Sequence, residues 1–84
     1  MKTFQIVSVK DELTGSFLAP QFIGTKEEAL RVFAYQINNT PIWKDNPEDF
    51  SLYALGTFDQ ETGTVIGINP TKVAGGRSVW KEKE

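Results

Sequence analysis

The sequence predicts an α+β fold of order β-β-α-β-β: a four-stranded, mainly antiparallel sheet with one helix packed on one face and a flexible C-terminal tail. Three observations carry this expectation. Residues 26–38 repeat apolar side chains at helical spacing behind a capping signal. The stretches on either side are rich in β-branched and aromatic residues. Short polar, glycine-ending turns, Lys10–Gly15 and Asp59–Gly63, join those stretches in pairs, as antiparallel hairpins require.

The first strand is expected over residues 3–9, in Phe4-Gln5-Ile6-Val7-Ser8-Val9. Phe4 and Ile6 share one side, Val7 and Val9 the other. A strand apolar on both sides belongs inside a sheet or under cover on both faces. After the Lys10–Gly15 turn, Ser16 to Ile23 forms the second strand. Pro20 interrupts it, and a residue without an N–H confines that strand to an edge or a bulge. Phe17, Ala19 and Ile23 then lie on one face with Leu18 and Phe22 on the other, unless a bulge at Pro20 changes the parity after it.

Thr25-Lys26-Glu27-Glu28 reads as a capping box, with Glu28 reaching back three residues to the cap. Ala29, Leu30, Phe33, Ala34 and Ile37 make one apolar stripe, and Leu30, Phe33 and Ile37 are expected to be the most buried, facing Ile6, Leu52 or their neighbours. Glu27 and Arg31 pair on the outer face. Asn38 and Asn39 stop the helix through a left-handed residue, and Pro41 prevents its continuation. Thr40 to Asp45 joins helix to hairpin and carries Ile42 and Trp43. Trp43 either plugs one end of the core or stands exposed as an anchor for a partner.

Asn46 is placed to cap a short helical turn with Pro47 first and Glu48 and Asp49 at its positive end. Phe50 to Phe58 is the third strand. Gly63 is free to take positive φ in the loop, and Thr64 to Ile68 returns as the fourth strand. Asn69-Pro70 ends that strand, and Gly75-Gly76 marks a joint. The expected organisation is one α+β domain over residues 1–69 and a basic, flexible tail over 70–84. Trp80 in that tail docks on the body, docks on a second copy, or stacks on a base.

Composition narrows the chemistry. Eighty-four residues make one domain, and a chain this short is marginal as a monomer. With no cysteine and no histidine, disulfides, thiolate or imidazole metal sites and histidine-based nucleophilic triads are excluded within the chain. No acidic spacing matches a calcium loop, and Gly75-Gly76-Arg77-Ser78 lacks the lysine of a phosphate-binding loop. No enzyme activity, catalytic residue, metal or cofactor is expected. No apolar run approaches the ~20 residues of a membrane span, and no signal-peptide core is visible, so no membrane partner is expected. The formal charge is −2, divided into −4 over residues 1–68 and +2 over residues 69–84. An acidic body with a mildly basic tail lacks the basic patch of a strong nucleic-acid binder.

The phrase Pro47-Glu48-Asp49-Phe50 with Leu52, then Leu55-Gly56 and Phe58-Asp59 before Gly63, resembles the small nonstructural protein of gokushovirus-type microviruses. Those are bacteriophages with small circular single-stranded DNA genomes. Family members often carry His where this chain has Asn46. The resemblance runs from Phe4 to about Gly63, taking in the strand with Pro20, Glu28-Ala29 and the Arg31–Phe33 part of the helix; the tail after Pro70 lies outside it. It implies a nonstructural accessory protein of genome replication or packaging, acting in the host cytoplasm.

Two modes of action are expected ahead of a structural role in the virion. One is docking as a homodimer on a viral or host replication or packaging protein. One helix covers one sheet face only, so the other must meet water, a partner or nucleic acid. Trp43, Tyr35 and Arg31 are the candidate contacts, and the open sheet face or Trp43 is favoured over the Pro20 edge for the dimer. The alternative is weak single-stranded DNA binding, which combines aromatic stacking with phosphate attraction. Its candidates are Tyr53, Phe58, Lys72, Arg77, Trp80, Lys81 and Lys83.

Overall fold

Hairpin pairing organises the chain around its two central strands. The computed structural model describes residues 3–81. In order they form β1 (Thr3–Asp11), β2 (Ser16–Phe17), β3 (Gln21–Ile23), α1 (Lys26–Asn39), α2 (Pro41–Asp45), a 3-10 turn (Pro47–Asp49), β4 (Phe50–Asp59), β5 (Val65–Gly75) and α3 (Gly76–Val79). The sheet runs β2-β1-β4-β5, every pairing is antiparallel, and β3 pairs with β1 on the same side as β2. The α+β class, the antiparallel sheet and the single main helix match the expectation.

The expected second strand is two strands. Pro20 lies in the gap between β2 and β3, where a missing N–H would break the ladder. The Ser8 hydroxyl donates to the Leu18 carbonyl at 2.6 Å, satisfying the backbone beside the break. Parity changes across the gap. Leu18 and Ala19 line a small void with Val9, Ala29 and Phe33, and Ile23 packs on the core, whereas Phe17 and Phe22 both lie on the opposite face.

Helix α1 begins as a capped helix. Thr25 Oγ1 accepts from the Glu28 N–H at 3.1 Å, and the Glu28 carboxylate meets the same hydroxyl at 3.4 Å. Its end differs from the expectation. Among the described residues no non-glycine has positive φ. Thr40 is extended (φ −102°, ψ 116°), as a residue before proline prefers, and Pro41 opens α2. Asn38 and Asn39 instead donate their side-chain amides to the Ala34 and Tyr35 carbonyls, both at 2.8 Å. Asn46 likewise donates back to Ile42 at 2.9 Å and does not cap the 3-10 turn through its side chain.

The core sits between α1 and one sheet face. Phe33 (1% exposed), Ile37 (0%) and Ala29 (3%) meet Val7, Val9, Phe50 and Leu52. Ala29, not Leu30, completes the buried row; Leu30 packs at its margin. Ile6 is buried outside this cluster, because odd-numbered β1 residues face the helix and Ile6 points to the other side. Trp43 plugs one end, its ring stacked on Phe50 with centroids 4.7 Å apart.

The β4–β5 hairpin turns as expected. Gly63 takes φ +76°, its N–H reaches the Asp59 carbonyl at 2.8 Å, and the Asp59 carboxylate accepts the Glu61 N–H at 2.8 Å. At Gly56 a side chain has no room: φ is +154° and a Cβ would collide with the Ile66 carbonyl.

The fourth strand does not end at Asn69-Pro70. As an edge strand, β5 tolerates proline and widens there: three residues, Ile68 to Pro70, stand opposite Leu55. It resumes with Thr71 opposite Ala54 and ends at Gly75 opposite Ser51. Residues 70–81 therefore join the domain. Gly76 packs so closely on Ile37 and the Pro47 carbonyl that a Cβ would not fit. Asn38 clamps the end of the chain: its amide donates to the Val79 carbonyl at 2.9 Å, and its Oδ1 accepts the Lys81 N–H at 2.7 Å. Trp80 docks on the body through its indole N–H, which donates to the Lys44 carbonyl at 2.9 Å.

Candidate functional site

Among the described residues, no helix lies over the face of the sheet away from α1. On β1 that face carries the even-numbered residues Phe4, Ile6, Ser8 and Lys10. Cross-strand partners bring Phe58 opposite Phe4, Tyr53 opposite Ser8, Phe22 opposite Ile6, Phe17 opposite Lys10, and Lys72 opposite Tyr53. The bulge that leaves Leu55 unpaired lets Tyr53 and Phe58, of opposite parity, share this face.

Two aromatic pairs result. Phe17 and Tyr53 meet edge to face with centroids 5.4 Å apart, and Phe22 and Phe58 do the same at 5.4 Å. Phe17 is 40% and Phe22 53% exposed, so ring surface remains open to a ligand. The Lys10 ammonium lies 5.5 Å from the Phe17 ring and 5.7 Å from the Tyr53 ring, within cation–π range. Glu12 joins this cluster: the Tyr53 hydroxyl donates to it at 3.1 Å, and Lys10 stands 3.7 Å away. The Ser51 hydroxyl, the Tyr53 hydroxyl and the Lys10 and Lys72 ammonium groups hold its carboxyl below the ordinary glutamate value against a desolvation that pushes it up.

The sequence candidates divide between two surfaces. Tyr53, Phe58 and Lys72 come together on the open face. Arg77, Trp80 and Lys81 go to the helical layer: Arg77 pairs with Glu48 and lies 4.8 Å over the Trp80 ring, and the Lys81 N–H is held by Asn38. The Glu48 carboxyl is lowered by its own backbone N–H first and then by Arg77. Lys83 lies outside the described residues. Trp43 is committed to Phe50, whereas Tyr35 (68% exposed) and Arg31 stand on the outer face of α1.

Lys10, Phe17 and Phe22 are site residues the sequence reading missed. The sequence pattern places Lys10 in a turn, whereas β1 runs two residues further than expected, to Asp11. Simple alternation places Phe17 and Phe22 on opposite faces. The signal that joins them is Pro20, whose effect on parity depends on the length of the break.

These features define a small α+β domain with an uncovered, aromatic sheet face. The model of the Phage ORF5 protein family matches residues 4–79, and the chain belongs to that family. The match continues past Pro70 to Val79, so that much of the C-terminal segment is part of the family pattern, beyond the reach of the resemblance read from the sequence. No curated protein and no solved structure matches the chain. No helix among the described residues is long and apolar enough to cross a membrane.

Proposed function

We propose that this phage protein is an accessory factor of genome replication or packaging that contacts single-stranded DNA weakly through its open sheet face. The observation that carries the reading is the placement of Phe17, Phe22, Tyr53 and Phe58 on one face with Lys10 and Lys72 beside them. Base stacking on exposed rings and attraction of the backbone to nearby cations are the two parts of sequence-tolerant single-strand binding. The resemblance to the microvirus nonstructural protein supports the same reading, because such phages carry single-stranded genomes. The tail is not the binding element in this account: Trp80 spends its N–H on Lys44, and Arg77 is paired with Glu48.

Two lysines neutralise few phosphates, so binding is weak with a shallow salt slope of about −0.7 per contact. The test is fluorescence anisotropy with a labelled oligothymidylate at low salt. Tyr53→Ala is expected to cost roughly 1–3 kcal/mol of affinity if its ring stacks on a base, and Lys72→Ala to flatten the salt slope. Absence of binding at high micromolar protein, or binding indifferent to both changes, overturns the proposal.

A second reading, docking on a viral or host replication or packaging protein, is supported by the exposed Tyr35 and Arg31, residue types common among binding hot spots. It predicts partner capture that Tyr35→Ala abolishes and added salt leaves largely intact.

A further inference from the structure

Polar groups from three neighbouring strands converge at one end of the open face. Ser51 and Tyr53 alternate along β4 and turn to the same side as Lys10 of β1, which stands opposite Ser51. Lys72 of β5 stands opposite Tyr53, and Gly75 stands opposite Ser51. The Lys72 ammonium folds back over Gly75, where an added Cβ would lie 3.6 Å from Nζ. The Glu12 carboxylate occupies the point these groups share. It accepts from the Tyr53 hydroxyl at 3.1 Å and lies 3.7 Å from the Lys10 ammonium. Hydrogen bonding to Ser51, itself 2% exposed, and to Tyr53, with the charges of Lys10 and Lys72, holds that carboxyl low.

Local folding does not account for this arrangement. The turn after β1 is built by Asp11, whose carboxylate accepts the Leu13 N–H at 3.0 Å and the Thr14 N–H at 3.4 Å. The Glu12 backbone is pinned separately, its N–H donating to the Asp49 carbonyl at 2.7 Å. The Glu12 side chain is 32% exposed, so it can rotate into water without disturbing the strand. Exposed ion pairs also add little to stability. Charge is unbalanced as well: two ammonium groups meet one carboxylate, and among the described residues neither Lys10 nor Lys72 has another ion pair. With Glu12 turned away, two cations and two hydroxyls face one empty position, a donor set suited to the anionic oxygens of a phosphate. The Lys10 ammonium is 5.5 Å from the Phe17 ring and 5.7 Å from the Tyr53 ring, so a base stacked on either ring brings its phosphate to these donors.

We propose that Lys10, Ser51, Tyr53 and Lys72 form a phosphate subsite of the open face, which Glu12 fills in the free protein and vacates when a phosphate group binds. The proposal rests on the single-strand reading of that face and adds the residue that limits its affinity. Each binding event must first displace the Glu12 carboxylate from its donors, so removing that carboxylate opens the subsite.

Anisotropy with a labelled oligothymidylate is measured on the full chain and its Glu12→Ala variant. Glu12→Ala is expected to tighten binding roughly threefold or more, the scale of a released exposed ion pair. Loss of any negative charge adds some attraction, so Glu61→Gln on the β4–β5 hairpin loop is the control, with a smaller gain expected. Tyr53→Phe keeps the ring and the charge and removes only the hydroxyl; added to Glu12→Ala, it is expected to reverse part of the gain. An NMR titration with inorganic phosphate is expected to shift Lys10, Ser51, Tyr53 and Lys72 saturably in the Glu12→Ala chain, and less in the unmodified one. A gain that Glu61→Gln equals, or that Tyr53→Phe leaves whole, overturns the proposal. Oligothymidylate binding that responds to Tyr53→Ala but not to Glu12→Ala overturns the subsite and leaves the single-strand reading standing. Phosphate binding by the Glu12→Ala chain without any oligothymidylate binding upholds the subsite, for free phosphate, and overturns the single-strand reading.

Discussion

Phe33 shows how one side chain ties the two layers together. It projects from the middle of α1 into Val7, Val9 and Leu52 and is 1% exposed. Truncation leaves a cavity that a sheet with fixed register cannot close. Phe33→Ala is expected to lower unfolding free energy by about 3–5 kcal/mol, measured by urea denaturation; a cost below about 1 kcal/mol would remove Phe33 from the core. Glu12 illustrates the polar counterpart on the open face. Its carboxyl is held low by the Ser51 and Tyr53 hydroxyls and by Lys10 and Lys72. A folded-state value below the unfolded one means that its stabilising contribution is present above the unfolded value. That contribution is lost as pH falls through the lowered folded value. An NMR titration is expected to place Glu12 below ordinary glutamates, and Tyr53→Phe to move its midpoint upward. A midpoint unmoved by that change would show that the Tyr53 hydroxyl does not hold the carboxylate.

Among the elements, α1 and the C-terminal segment depend on each other through Asn38. The same amide that backs onto the Ala34 carbonyl also holds Val79, and its oxygen holds Lys81. Asn38→Ala leaves the Lys81 N–H without that acceptor. Hydrogen exchange is expected to show loss of protection at Lys81 while the β1–β4 ladder keeps its own. Equal loss at both would mean that the segment opens only with the whole domain. The helix itself was legible from local signals, since Thr25, Glu28 and the apolar stripe act within a few residues of one another. Its end was not: Asn38 and Asn39 carry the composition of a left-handed stop, but their amides had carbonyl partners available, and the proline at 41 forced Thr40 extended.

At the scale of the molecule, residues 70–81 are part of the fold. A chain ending at Asn69 loses the β5 residues opposite Ser51 to Ala54 and the Gly76 contact with Ile37. Its denaturation midpoint is expected to fall below that of the full chain, and an unchanged midpoint would show the segment to be separable. For the same reason tail deletion is a poor test of DNA binding; single changes on the open face are better. The two layers also explain why the face bearing Tyr53 stays uncovered: one helix of 14 residues spans one side of the sheet, and the other short helices pack beside it.

The sequence by itself determined the α+β class, the capped helix with Phe33 and Ile37 inward, the Asp59–Gly63 hairpin and the exclusion of cysteine and histidine chemistry. Each of these rests on composition or on contacts within about one turn of chain. Tertiary structure alone decided which aromatic residues share the open face, where β5 ends and where Trp80 goes. Side-chain parity along a strand reverses with each bulge or break, at Leu55 and around Pro20, and the lengths of those irregularities are set by partners distant in sequence. Asn69-Pro70 carries a stop signal that an edge strand overrides, because the missing N–H faces no ladder partner there; that β5 lies at the edge is a property of the assembled sheet.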